Sequence, residues 1–308
     1  MPGYQLAGIA IESDLDLPLP KPRISAEGAE VFLQVGHPLS DDEIPAEPGW
    51  HWTSPGEASF NYPDLGRAWV SQGKRILLRP CAGRASGTEW RGLIIPCFAA
   101  LFHQRGALSL HASAVCADGR AFGFMGYSGA GKSTLVAQLV GQGRRFLCDD
   151  LLLLGDRDDG DGYVAHPGFS IIKLWEDALN AAGGGFSRIG RLYPNAPKDG
   201  FSPGEAESAA APAPLECMFV LAEGDEVKVE SLSRRDALAE LLQHTYGVQV
   251  FEQKPLPVHF RQCGELAAKV PVKRLTRPKS FDCTGEVERA ISEALDEETE
   301  PRNSGMAV

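Results

Sequence analysis

The segment Gly126-Tyr-Ser-Gly-Ala-Gly131-Lys132-Ser133 carries the plainest chemistry in the chain. It fits G-x-x-x-x-G-K-[ST] at every position, with a strand expected before it and a helix after it. Glycines at Gly126, Gly129 and Gly131 let the backbone bend tightly, and Ser128 and Ala130 complete a ring of N–H groups turned toward an anion. A helix starting near Lys132 adds its positive end. Lys132 is long enough to reach the outer phosphates of a bound triphosphate, Ser133 offers an oxygen to Mg²⁺, and Thr134 is a further phosphate contact. The loop indicates a nucleotide. It leaves the reaction open, because ATPases, GTPases and kinases share it.

A second feature narrows the choice. Asp149 and Asp150 stand side by side between Arg144-Arg-Phe-Leu-Cys148 and Leu151-Leu-Leu-Leu154. Burying two carboxylates in an apolar strand is costly unless a strong partner offsets it, and a metal ion is the obvious partner. Side chains alternate across a strand, so both reach one cleft only if the strand ends there, at the edge where open α/β sheets bind ligands. One carboxylate could then take the proton of an acceptor hydroxyl while the other holds Mg²⁺. A single metal-side aspartate with an uninvolved neighbour is the other arrangement open at this point. His111, expected on the strand before the loop, could hold or neutralise a catalytic carboxylate, or could be a hydrogen-bonded core histidine.

These groups need a scaffold. Residues 1–87 read as a β-rich region of short apolar runs, such as Val31-Phe-Leu-Gln-Val35 and Arg75-Ile-Leu-Leu-Arg79, divided by Pro, Gly and Asp. Trp50, Trp52, Phe60 and Tyr62 are its aromatic core, and no chemistry is expected there. Residues 88–285 read as the P-loop domain. It has an apolar helix from Thr88 to Arg105, a strand over 107–115, a hairpin turn at Asp118-Gly119, a strand over 121–125, and a helix from Lys132 ended by Gly141 and Gly143. The stretch 183–214 reads as loop, and segments 216–221 and 226–230 as a pair of strands. A helix capped by Ser233 follows. Residues 286–308 form an acidic helix and tail. Lys173, Arg188, Arg191 and Lys198 read as solvated charges that could meet phosphates, and Glu176 as a first-turn helix glutamate or a spare metal-side carboxylate.

Composition bounds the function classes. The chain has 308 residues, 43% hydrophobic and 23% charged, with a net charge of −11 and a pI near 5.2. No overall basic field exists to attract nucleic acid. No run approaches the ~18–20 apolar residues of a membrane span. The N-terminus lacks a signal core, so a cytoplasmic protein without membrane partners is expected. The seven cysteines contain no C-x-x-C pair, which argues against a disulfide framework or zinc.

Leu110-His-Ala-Ser-Ala-Val115, Gly126 to Leu135 and Gly143 to Leu152 together resemble the HPr serine kinase family over about 45 residues. His111 stands 21 residues before Lys132, and Asp149 stands 17 after it, as in that family. The resemblance implies an α/β P-loop kinase domain of the HPr kinase type that uses ATP and Mg²⁺. Asp149 would be the catalytic base, His111 its neighbour, Lys132 the phosphate lysine, and Ser133 and Asp150 the metal side, with the division between the aspartates reversible. The chain lacks the family's Glu-x-Arg-Gly segment, which bears on a second metal ligand and on HPr as the acceptor. The first 85 residues and Ile171-Ile-Lys-Leu-Trp175 resemble instead the HPr-kinase-like proteins found beside peptide-maturation genes. Among those, lasso-peptide kinases phosphorylate a serine of a precursor peptide. The implied partner is a peptide or small protein bearing a serine. The alternatives are a small-molecule kinase resembling adenylylsulfate kinase, whose loop is similar, and a non-kinase ATPase switch, which would need a distant Walker B strand and a signature helix.

Overall fold

The computed structural model describes residues 2–19, 27–36, 45, 47–81, 90–193, 198–246 and 257–299. The start of the expected 88–105 helix and the tail beyond 299 lie outside them. Among the described residues the strands form three sheets in a mixed α/β arrangement.

The first sheet contains β1 (Gly3–Leu6), β2 (Ile9–Ser13), β3 (Val31–Val35), β4 (Gly49–Ser54), β5 (Glu57–Tyr62), β6 (Gly66–Ser71) and β7 (Arg75–Pro80), in the order β1-β2-β3-β7-β6-β5-β4. Its alternating apolar residues, among them Leu33, Val70, Ile76 and Leu78, face α1 (Arg91–Gln104). That helix is apolar all round, with ten residues buried, so it must be covered on more than one side. Leu151, Leu153 and Phe169 of the next unit complete its environment, with the Phe98 and Phe169 rings 5.3 Å apart.

The second sheet builds the site. In chain order its first half is β8 (Ser109–Leu110), β9 (Ser113–Ala117), β10 (Arg120–Met125), then α2 (Lys132–Gly141), β11 (Arg145–Cys148), β12 (Leu152–Asp156) and β13 (Tyr163–Ala165). The expected strand over 107–115 is two strands. β8 pairs with β12 while β9 pairs with β10 and β11, so the chain changes partner at His111 and Ala112. Asp118 and Gly119 both have φ > 0, as a two-residue hairpin turn requires. A small antiparallel sheet intervenes, made of β14 (Ile172–Leu174), β15 (Phe186–Arg191) and β16 (Asp199–Pro203), with α3 (Glu176–Ala182) between its first two strands in sequence. Here the loop expected over 183–214 is corrected to two strands. β15 has no buried residue and no apolar alternation, so its sequence carries no strand signal.

β17 (Ala213–Glu223), β18 (Lys228–Ser231), α4 (Arg234–Gln243), α5 (Pro257–Lys269), β19 (Val272–Arg277) and α6 (Thr284–Thr299) complete the chain. β17 and β18 do not pair with each other as expected; β19 inserts between them, parallel to β17 and antiparallel to β18. Ser233 caps α4, accepting from the Asp236 N–H at 3.2 Å. Residues alternate across β17: Met218 and Val220 face Leu241 and Leu266 on one side, Cys217 and Phe219 face α2 and α6 on the other. Pairing makes β11, β10, β17 and β19 run in one direction, so their C-terminal ends share one edge.

α2 is held there by α3. A Cβ on Gly141 would overlap the Ala182 carbonyl oxygen. Gly141→Ala gains ~1 kcal/mol of helix propensity, but the backbone contact cannot yield without moving α3, at ~1–3 kcal/mol. Thermal unfolding of Gly141→Ala is therefore expected below wild type; an equal or higher midpoint would mean that the two helices are free to separate.

Candidate functional site

The shared edge carries the chemistry. β10 ends at Met125 and the chain turns into the glycine loop, where Gly126, Gly129 and Gly131 all have φ > 0. A Cβ on Gly129 would meet nothing within 4 Å, so the mouth of the loop is open. The Lys132 ammonium lies across it, donating to the Gly126 carbonyl at 2.7 Å and to the Tyr127 carbonyl at 3.4 Å. Burial lowers the Lys132 pKa, and the two aspartates counter it. Arg277, at the end of β19, braces the loop from behind through Ala130 O at 3.2 Å.

β11 ends at Cys148, and the aspartate pair follows immediately. Asp149 is 3% exposed. Its Oδ1 accepts from Ser113 Oγ at 2.5 Å and Ser133 Oγ at 2.9 Å, and its Oδ2 accepts from the Lys173 N–H at 3.1 Å. Burial and the Asp150 charge push its pKa up, against the Ser113 and Lys173 hydrogen bonds.

Asp150 has φ 66°, a left-handed conformation that aspartate tolerates better than most residues. The reversal turns its carboxylate to the cleft. Oδ1 lies 3.5 Å from His111 Nε2, and Oδ2 is paired with the Lys173 ammonium. Burial would raise the Asp150 pKa, but Lys173 and His111 outweigh it and hold the carboxylate well below its usual range. Lys173 is correspondingly raised, Asp150 overcoming the desolvation that opposes it.

One cleft of about 1140 Å³ contains His111, Gly126, Ser128, Gly129, Gly131, Lys132, Ser133, Thr134, Asp150 and Lys173. Ala130 lines an adjoining hollow behind the loop, and Asp149 sits beneath the cleft floor. Glu176 is exposed at the start of α3 and is not part of the lining. Arg188 and Arg191 pair with Asp199.

Two contributions were missed by sequence reasoning. Lys173 is no solvated charge, since it touches both aspartates. The signal was present: one charge in the apolar run Ile171-Ile-Lys-Leu174, the same anomaly that marked the aspartates. The N-terminal region, expected to be without chemistry, supplies Trp50 and Phe60 to the lining. Sheet pairing at long range brings them there, and no local pattern records it.

A third link runs through α1. Pro96 has no N–H to donate to the carbonyl of Gly92, four residues earlier. That freed carbonyl accepts from Tyr193 Oη at 3.0 Å. Gly92 also permits the approach, as a Cβ there would lie 3.1 Å from the Tyr193 ring. Tyr193, so fixed, sits 5.4 Å from the Lys173 ammonium.

The residues fit Mg²⁺ and a triphosphate. Ser133 and Asp149 offer hard oxygen donors already in contact, beside a cradle of turned N–H groups. Among the described residues no cluster of three or more His, Cys, Asp and Glu side chains could hold a metal alone. Mg²⁺ has no need of one, since it commonly takes one or two protein oxygens and completes its shell with phosphate and water.

No protein-family model matches the sequence, and no curated protein matches it. Among solved structures the chain is similar to the HPr(Ser) kinase/phosphatase from Coxiella burnetii, at 12% identity and a TM-score of 0.33, over 62% of this chain and 98% of that one. No helix among the described residues is long and apolar enough to cross a membrane.

His244 closes the cleft beside the loop, its ring 5.5 Å from that of Tyr127. It is buried, and Nε2 stands 3.6 Å from Glu240, too far for a hydrogen bond. Desolvation, with repulsion from Lys132 and His111, lowers its pKa to about 4. Burial lowers His103, His166 and His259 as well. Between ~6.5, the unfolded value, and about 4, the unfolded chain binds more protons than the folded one, so stability is full above that window and falls as pH drops through it. The unfolding midpoint should decline from pH 6.5 to 4.5, and more shallowly in His244→Gln. Identical slopes would show that His244 protonates freely in the folded chain.

Proposed function

We propose that this chain is an ATP- and Mg²⁺-dependent phosphotransferase with an HPr-kinase-like P-loop domain, acting on a serine hydroxyl of a peptide or small protein. The observation that carries the reading is the 2.9 Å contact between Ser133 of the phosphate loop and Asp149, with Asp150 next to it in the same cleft. A binding loop alone would need no second, cleft-facing carboxylate. The cleft volume supports room for two ligands, since sites for one small molecule usually occupy ~300–1,000 Å³.

The geometry favours dividing the aspartates in the reverse of the order the family resemblance implies. Asp149 is buried, bonded to Ser133 and out of reach of an incoming alcohol; with Ser133 it would hold the metal ion. Bound Mg²⁺ would supply charge neutralisation across the terminal phosphates. Asp150 faces the cleft and stays ionised, so it can accept the hydrogen bond of the serine hydroxyl and orient it. The serine oxygen forms its bond to phosphorus as the bond to the departing ADP breaks; ADP keeps that electron pair and Asp150 receives the proton. A strong base is unnecessary, because phosphoryl transfer is loose and positioning matters most. Lys132 opposes the phosphate charge. His111 and Lys173 hold Asp150 in place.

The test combines mass spectrometry of serine peptides after incubation with ATP–Mg²⁺ and nucleotide binding by calorimetry. Lys132→Ala should weaken binding and transfer together. Asp150→Asn should bind nucleotide normally in Mg²⁺ but transfer at least ~10²-fold more slowly, whereas Asp149→Asn should lose the Mg²⁺ dependence of binding. Asp149→Asn with intact Mg²⁺-dependent binding and no transfer would restore the original division. Rapid ATP hydrolysis without any acceptor, and no phosphopeptide, would favour a switch ATPase.

A further inference from the structure

Phosphate chemistry leaves one end of the cleft unused. From Asp150 outward, aromatic rings follow in series. Tyr193 lies beside Lys173, Tyr62 is 5.6 Å from Tyr193, Phe60 is 6.1 Å from Tyr62, and Trp50 is stacked 4.9 Å from Phe60 at 27°. On the His111 side, Tyr246 meets the imidazole edge-on at 5.8 Å. Trp50, Phe60, Pro96, Tyr193 and Tyr246 all line the cleft. None of the five carries a charge at neutral pH, and burial pushes both phenols higher.

The nucleotide's remaining bulk has a different exit. Thr134 and Gln138 share a face of α2, one turn apart. Gln138 donates to the Phe281 carbonyl at 3.5 Å, tying the loop after β19 to that face. Thr134, Lys279 and Phe281 line this part of the cleft. Base and ribose can leave past them, and the ring-lined end stays open to the acceptor.

We propose that the ring-lined end is the acceptor subsite, and that it selects a peptide serine flanked by a hydrophobic, above all aromatic, side chain. A charged flank would lose water and gain no counter-charge from these residues. An aromatic flank would extend the row of rings, in which offset or edge contacts add to the burial of apolar surface. The rings and Asp150 line one cleft, so a peptide that packs a side chain on the rings can bring its serine toward the carboxylate. The inference rests on the phosphotransferase reading for the serine, whereas the preference for the flank is a binding property that can be measured without turnover.

Trp50 is on β4, an edge strand of the first sheet, so truncating it leaves the ladder in place. Three peptides, identical but for Phe, Asp or Lys beside a single serine, are titrated calorimetrically into the full chain in the presence of Mg²⁺ and a non-hydrolysable ATP analogue. The Phe peptide should bind ~10-fold more tightly than the other two, which is the factor that ~1.4 kcal/mol represents. Trp50→Ala should bring it within ~2-fold of them, and Trp50→Leu, which keeps apolar area, should fall between. Should Trp50→Ala fail to fold by circular dichroism, Trp50→Leu and Tyr193→Leu decide. Equal affinity for all three peptides, including no binding by any, or a Phe preference untouched by the variants, overturns the subsite. Transfer assayed with ATP separates the two claims. A Phe preference without phosphorylation upholds the subsite and sinks the transferase; phosphorylation without the preference does the reverse.

Discussion

A single buried carboxylate organises this molecule. Asp149 receives hydrogen bonds from Ser113 on β9, Ser133 at the start of α2 and the backbone of Lys173 on β14. Three elements from separate parts of the chain converge on two oxygen atoms. Removing a carboxylate from water costs several kcal/mol, and hydrogen bonds to a charged group each return only ~1.5–3 kcal/mol. All three donors are therefore needed, and each fixes the element that carries it. The start of α2, β9 and the strand bearing Lys173 are thereby held in one relation around the cleft.

A second chain of causes starts from the covalent structure of one residue. Proline at position 96 cannot complete the helix ladder, so Gly92 keeps a free carbonyl, and the absent side chain of Gly92 lets Tyr193 come close enough to use it. The Tyr193 ring then stands beside the Lys173 ammonium, and Lys173 reaches Asp150. An apparent defect in an apolar helix is thus coupled, through four residues, to the carboxylate that faces the cleft. It also explains how the first sheet and α1, which carry no acidic or basic group into the centre, still shape its chemistry.

How much of this was legible beforehand follows from the range of the interactions. The glycine loop is a local object, in which glycine spacing, the lysine and the following helix lie within sixteen residues, and the strand-loop-helix geometry is found as expected. The aspartate pair was visible because two charges in an apolar run violate the cost of burial, and the strand does end at Cys148. Lys173 broke the same rule but was read as a surface charge, because one lysine with a long stem can usually reach water. The roles of Trp50 and Phe60 could not be read locally, since they depend on where β4 and β5 lie relative to a loop more than sixty residues away. The strands over 186–203 are hidden for a related reason: β15 buries no side chain of its own, so pairing with β16, and not an apolar pattern, decides that it forms.

The two aspartates differ by one step along the backbone and by nearly everything else. Asp149 continues the direction of β11 into the interior, where burial raises its pKa and hydroxyls tie it down. Asp150 takes a left-handed turn that exposes it to the cleft, where a lysine and a histidine keep it charged. Had the chain continued as a regular strand, alternation would have sent the second carboxylate into the opposite face of the sheet. The positive φ at Asp150 is thus the device that puts both carboxylates on one side. Its conformational cost, of order 1–3 kcal/mol, is sustained by the Lys173 pair that the reversed geometry makes possible. Strain, ion pair and cleft orientation are in this sense one feature: removing the lysine would leave the turn without its compensation, and straightening the turn would leave the half-buried lysine without its anion.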